Sequence, residues 1–236
     1  MPRLRSQPSR PKPVAYSRNR AIVRKACASL DNASANQNSK LEVVLATGNA
    51  NKAAEVIPHV TDISLVLQSA FSVSSIEETG HTLLENAILK ARHACEQTGL
   101  PAIGDDSGLF VAELGQLPGL YSARFAGEGA SDKQNCEKLL TLAASLKGEQ
   151  RRASYISTVV FMRHAADPLP ITVTREWSGY LSESLDGQNG YGYDAIFYVP
   201  EFGMTAAQLT DDQKLTLSNR LEAFKALVPQ IIKQRR

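Results

Sequence analysis

The chain has 236 residues, 43% of them hydrophobic, and a formal charge of +2, which suits one sizeable core or at most two small domains. No apolar run reaches the roughly 18–20 residues of a membrane span and no secretory signal is visible, so no membrane partner is expected. Cys27, Cys95 and Cys136 form no Cys-x-x-Cys pair, which argues against a disulfide framework and suits a reducing compartment with buried or incidental thiols.

Charge is uneven. Residues 1–40 hold nine Lys or Arg against one acid, Asp31, for +8, and the remainder holds 17 bases against 23 acids, for −6. The first segment, rich in Arg, Pro and Ser, has too little apolar content to offset its ordering entropy and reads as a disordered extension. Within it Ala21–Leu30 could form a short basic helix. An organelle transit peptide also fits this composition, so the cytoplasm is the expected compartment and organelle targeting the alternative. The acidic body gives a basic face no continuation, so nucleic acid is not an expected partner.

The body, residues 41–236, reads as one domain. Leu41–Ala46 is a β-branched run typical of a buried strand. After "TGNANK" a helix follows, with Ala53, Val56, Ile57 and Val60 at helical spacing. "DISLVLQSA" is a second strand. Thr82–Gln97 is the clearest helix, with Leu84, Ala87, Ile88, Ala91 and Cys95 on one stripe and Gly99 as its left-handed cap. "LPAIGDDSGLFVAEL" reads as a strand that breaks at "DDSG" and resumes. A glycine-rich loop leads to a helix capped by Ser131. "RASYISTVVFMRH" and "LPITVTREWSGYLSE" form an antiparallel hairpin. "GQNGYGYDAIFYVP" runs from a loop into a strand, and the chain from Met204 is helical with a break near Asp211–Asp212. Alternating elements followed by clustered strands give an α/β fold, a two-lobed mixed sheet with flanking helices.

Several short segments could carry chemistry. In "TGNANK", a helix start attracts anions, Thr47 and Asn49 offer hydrogen bonds, and Lys52 adds charge one turn in. That suits a phosphate, although no P-loop is present; locally, an ordinary strand–helix turn capped by Asn49 is the simpler reading. Glu77–Glu78 and Asp105–Asp106 are adjacent acids, suited either to Mg²⁺ with phosphates or to a solvated turn. Asn86 and Lys90 lie four apart on the polar side of their helix, either facing phosphate or simply solvated. His81 and Glu85 share that spacing, but there is no His-Glu-x-x-His and nothing else suggests zinc. Tyr191, among glycines, could stack on a base or pack in the core. Lys214, Ser218, Asn219 and Arg220 open a helix; Asn219 and Arg220 could read a base edge. Together these are the parts of a site for a Mg–nucleoside triphosphate. No Ser-His-Asp or Cys-His arrangement competes.

The segments "LATGNANKAAE", "SIEETG", "TLLENAILKARHA", "PAIGDDSGLFVAEL", "LPGLYSARFAG", "GYGYDAIF" and "KLTLSNR" together resemble the inosine triphosphatase family, the noncanonical purine nucleoside triphosphate pyrophosphatases also called dITP/XTP pyrophosphatases. The resemblance spans residue 41 to about residue 232 in the family's order. It implies a nucleotide cleft between two lobes, a homodimer, and Mg²⁺-dependent hydrolysis of ITP, dITP and XTP to the monophosphate and pyrophosphate. By position it implies that Thr47, Gly48, Asn49, Ala50, Asn51 and Lys52 hold the triphosphate, with Lys90 and Lys214 facing it and Ser107 binding substrate. Glu78 and Asp106 would hold the metal. Asp106 would also accept the proton of the attacking water, directly or through a water held by the cation. Tyr191, Gly192, Tyr193 and Asp194 would form the base platform, and Asn219 and Arg220 the purine-edge contact. Three positions depart from the family pattern. Asn219 stands where His is usual, Ala195 where Pro is usual, and Tyr191 where Phe is commoner. The first bears on base preference, and leaves as an alternative a nucleotide-binding protein with reduced or altered turnover.

Overall fold

The computed structural model describes residues 40–234. The expected helix at 21–30, Cys27 and the first 39 residues lie outside the described residues. The elements in chain order are β1 (Glu42–Ala46), α1 (Ala50–Val56), β2 (Ser64–Leu67), α2 (Leu83–Thr98), β3 (Ala102–Val111), β4 (Leu117–Pro118), α3 (Asp132–Leu142), β5 (Arg152–Met162), β6 (Ile171–Leu181), β7 (Phe197–Val199), β8 (Met204–Thr205), α4 (Asp211–Leu217) and α5 (Asn219–Gln234). The strands make one mixed sheet in the order β2-β1-β3-β5-β6-β7-β8, with β4 against the far end of β3. β2, β1 and β3 run parallel, and the remaining pairings are antiparallel.

Period-two alternation assigns the faces. Val43, Leu45, Ile103, Val159 and Phe161 pack with α1 and with Phe224, Leu227 and Ile231 of α5. Val44, Ala46, Ala102, Val160 and Met162 point to the other face, against Ala87, Ala91 and Ala94 of α2. The far halves of β3 and β5 enclose a separate core. There Leu109, Val111 and Ala153 meet Cys136 and Leu139 of α3 and Ile196, Phe197 and Val199. The long strands β3, β5 and β6 thus run through both lobes.

Local signals set several boundaries as expected. Asn49 caps α1, Gly99 ends α2 at φ 71°, and Ser131 forms a capping box with Gln134, while Thr82, expected as the first residue of α2, is its cap. Cys95 and Cys136 are buried free thiols.

Four expectations need correction. The strand does not break at "DDSG": β3 pairs with β5 without interruption from Ala102↔Met162 to Val111↔Ala153, and ten continuous pairings outweigh the turn preference of four residues. The buried stripe of α2 includes Leu83 and leaves Leu84 41% exposed, because the helix approaches the sheet through its alanines. The loop after Leu114 contains β4 and a 3₁₀ turn at Gly119–Arg124. Finally, the chain from Met204 opens as β8. Asp211 and Asp212 begin α4 under a Thr210 capping box, and the break falls at Ser218, whose extended backbone (φ −61°, ψ 108°) separates α4 from α5.

Candidate active site

β1 pairs with β3 only as far as Ala46↔Gly104, and β4 joins the same edge of β3 only at Phe110. The edge between them is left open where β1 ends, the position at which open α/β sheets bind ligands. Asp105 and Asp106 stand there. In a turn they would share one solvated environment. In a strand they point to opposite faces, and each meets its own helices.

Asp105 faces α1 and α5. Its Oδ2 lies 3.1 Å from Lys52 Nζ and 3.1 Å from Arg220 Nε. Burial pushes this carboxyl up, but Lys52 and Arg220 together outweigh it and hold it at about 2. Burial also lowers the Lys52 ammonium, against the pull of Asp105. Asp105 Oδ1 is buried and has no partner among the described residues.

Asp106 faces α2. Lys90 Nζ is 2.8 Å from its Oδ1, and Asn86 Nδ2 donates to its Oδ2 at 3.2 Å. Asn86 Oδ1 in turn accepts from Gly80 N at 2.8 Å, which fixes the loop carrying Glu78. Glu78 Oε1 meets the same Lys90 ammonium at 2.8 Å. Burial pushes the Asp106 carboxyl above its ordinary range, with Lys90 opposing. Burial lowers the Lys90 ammonium, but Asp106 and Glu78 raise it more, so it stays charged.

Thr47, Gly48, Asn49, Lys52, Glu78, Lys90, Asp106 and Ser107 line one cavity of about 450 Å³. Ser75, Ile76, His93, Leu120 and Arg124 also line it. Sequence reading gave none of these five a role, although all lie in the segments that carry the family resemblance. Ala50 and Asn51 lie in the first turn of α1 and are not among the lining residues. The cap is committed inward: Asn49 Oδ1 accepts from Asn51 N at 2.9 Å and Lys52 N at 3.3 Å, and Thr47 Oγ1 accepts from Asn49 N. The charge this loop offers is therefore mainly that of Lys52.

The other expected residues form a second group. Arg220 is buried. Besides Asp105 it donates to Ser107 Oγ at 3.0 Å, to the Tyr191 hydroxyl at 2.7 Å, and to Glu55. Glu55, on α1, also accepts from Ser218 Oγ and from the Tyr191 hydroxyl. The hydroxyl that distinguishes Tyr191 from phenylalanine is therefore used, and Glu55 is the hub that sequence reading missed. It closes the segment "LATGNANKAAE", one turn beyond Lys52, but was given no role there. Lys214 donates to Asp194 Oδ2 at 2.8 Å and to Asn189 O at 2.9 Å, clamping the glycine-rich loop. Gly190, at φ 101°, passes so close that a Cβ would lie 2.1 Å from Lys214 Nζ. Gly192 N donates to Asp132. Tyr193 is a core residue, 2% exposed, with its hydroxyl on Ser122 O. Asn219 Nδ2 donates to Tyr155 O at 2.9 Å and Arg175 O at 3.3 Å.

Among the described residues no three His, Cys, Asp or Glu side chains converge as a protein-only metal cage. Glu78 and Asp106 are both hard oxygen donors, share the Lys90 ammonium, and border the cavity. That donor set fits a small divalent cation that completes its shell with water and phosphate.

The Ham1 family pattern matches residues 43–230. The chain belongs to the Ham1 family. It is 52% identical over 189 residues to a dITP/XTP pyrophosphatase of Pectobacterium atrosepticum and 50% identical over the same length to one of Photorhabdus laumondii, covering 79% of this chain and 96% of each relative. Among solved structures, a HAM1 protein from Coxiella burnetii superposes with a TM-score of 0.77 at 42% identity, covering 82% of this chain and 99% of that one. The Staphylococcus aureus Ham1 protein gives 0.72 at 35% identity, covering 83% and 100%. The α/β fold and the family that the sequence motifs implied are thus both found.

Proposed function

We propose that this Ham1 family protein hydrolyses the noncanonical purine nucleoside triphosphates ITP, dITP and XTP to the monophosphate and pyrophosphate, and that it does so with Mg²⁺. The observation that carries the reading is Asp106. It is a buried carboxylate on a cavity wall, held on one oxygen by Asn86 and on the other by Lys90, with Lys52 acting on it only at longer range. The names of the relatives point the same way.

In this reading the triphosphate lies along the cavity. Lys52 and Lys90 neutralise its oxygens, and Thr47, Gly48, Asn49 and Ser107 line its path. Glu78 and Asp106 hold Mg²⁺, which supplies further charge neutralisation on the phosphates. Attack at the α-phosphorus needs little covalent help, so positioning and electrostatics dominate. Asp106 takes the proton of the attacking water. The Asn86 amide fixes the orientation of that carboxylate. Tyr191 and the Gly192–Asp194 loop, braced by Lys214, flank the base. Arg220, with most of its donors on Asp105, Ser107, Glu55 and Tyr191, sets the position of that wall. Asn219, donating to strand carbonyls, supports the base end, far in sequence from Asp106. Loss of turnover through Asn219 therefore gains no support from its contacts.

On the same reading residues 41–236 are the working domain, residues 1–40 an extension, and the enzyme a cytoplasmic homodimer. The family pattern matches within the body alone, and the free buried thiols Cys95 and Cys136 suit a reducing compartment. Assays of pyrophosphate release with Mg²⁺ should favour ITP over ATP, and Asp106→Asn should cost roughly 10²–10⁴-fold. Orthophosphate as the first product would sink the reading.

A further inference from the structure

Lys90 occupies an unusual place in this site. Its ammonium lies 2.8 Å from Glu78 Oε1, 2.8 Å from Asp106 Oδ1 and 3.0 Å from the Asp105 carbonyl oxygen. An ammonium has three N–H donors, so none is left for a phosphate. Two of these oxygens are the ones that the proposed function gives to the divalent cation. Lys52 differs: its carboxylate partner, Asp105, is on the opposite face of the sheet and shared with Arg220.

We propose that Lys90 is the resident counter-cation of the Glu78–Asp106 pair, yielding that place to the divalent ion and only then turning to the substrate's phosphates. The inference rests on the reading of Glu78 and Asp106 as cation ligands. Three observations carry it. The ammonium sits between the two carboxylates, where like charges cannot be shared at contact distance. Its side chain is 14% exposed on the cavity wall, on a flexible stem that can swing. Asn86 holds the other oxygen of Asp106, so the carboxylate stays in place when Lys90 leaves.

The consequence is coupling. A divalent ion arriving alone must displace an ammonium and leave it without a counter-charge. An ion arriving with phosphate gives the displaced ammonium a new one. Ion and phosphate therefore favour each other's binding, and by linkage the effect is reciprocal.

Mn²⁺ binding to the full chain without nucleotide, followed by electron paramagnetic resonance, tests this. Lys90→Gln should bind Mn²⁺ tighter than wild type by about ten-fold or more, and the gain in pyrophosphate affinity caused by Mn²⁺ should shrink. Lys90→Arg, which keeps a cation in place, should stay near wild type. Unchanged or weaker Mn²⁺ binding by Lys90→Gln overturns the proposal. Adding Glu78→Gln to Lys90→Gln should remove the gained affinity. If instead neither Glu78→Gln nor Asp106→Asn alters Mn²⁺ binding in the otherwise wild-type chain, the cation-site reading itself has failed. A measurement on the wild-type protein covers a variant that does not fold: Mg²⁺ alone should speed acylation of Lys90 several-fold relative to Lys52, read by mass spectrometry. Equal labelling with and without Mg²⁺ overturns the proposal.

Discussion

Gly104→Ala tests how tightly the acidic pair depends on the helix behind it. Gly104 faces α2, and a Cβ there would lie 2.1 Å from Ala87 O and 2.8 Å from Ala91 N. Both are backbone atoms, so no rotamer change relieves the clash. Ordinary contact begins near 3.4 Å, so α2 must retreat by about 1.3 Å. Overpacking of this kind costs about 1–3 kcal/mol, and each kcal/mol lowers the melting temperature of a domain this size by about 2–4 °C. The same helix carries Asn86 and Lys90, adjacent in sequence to the two clashing residues. Their contacts with Asp106, at 3.2 and 2.8 Å, would both stretch. A displacement of about 1 Å at reacting groups can cost on the order of 10²-fold in rate. Urea denaturation and pyrophosphate release from ITP read the two effects separately, with Leu84→Ala on the exposed face of α2 as control. A Gly104→Ala protein with wild-type stability and rate would refute the reasoning. Lost stability at full rate would show that the helix shift does not reach the site.

Two further predictions concern buried charge. Arg220→Met leaves Asp105 and Glu55 without their shared guanidinium and should cost about 3–5 kcal/mol at neutral pH, the usual penalty for breaking a buried ion pair; a loss below about 1 kcal/mol in urea melts would mean that water replaces it freely. Asp167 is buried in the β5–β6 turn. Burial raises its carboxyl, but hydrogen bonds from the Arg163 side chain and from Arg163 N and Leu169 N outweigh this and bring it down to about 2. A depressed folded-state value stabilises above the unfolded value near 4 and is lost as pH falls through 2, so wild type should exceed Asp167→Asn by about 2 kcal/mol at neutral pH. That gap should close between about pH 4 and pH 2, and a gap that persists at pH 2 contradicts the assignment.

Much of this molecule is written locally. Asn49, Thr82 and Ser131 cap helices because their side chains satisfy N–H groups one turn away, which needs no knowledge of the rest of the chain. The hairpin of β5 and β6 follows from alternation and a proline-containing turn. Asp105–Asp106 misled because Asp-Asp-Ser-Gly does have turn chemistry, and only the partner strand β5, some fifty residues on, keeps it extended. The cradle reading of Thr47–Lys52 named the right segment. It could not show that Asn49 is spent on its own helix, or that Lys52 answers a carboxylate of β3. Glu55 was invisible for the same reason. Its significance lies wholly in partners 136 to 165 residues away.

Those separations bear on how the protein comes into being. Contacts between residues so distant are the slowest a chain can form, since long loops must close before anything rewards them. When a ribosome has delivered only the first two hundred residues, the strand bearing Asp105 exists but its guanidinium has not been made. The last helix is therefore the keystone of the acidic face. Until it docks, Asp105 and Glu55 each lack an essential counter-charge, and an unfinished or clipped chain carries a cavity whose back wall is unsettled. Turnover in this protein would then report on the whole chain having folded to its end.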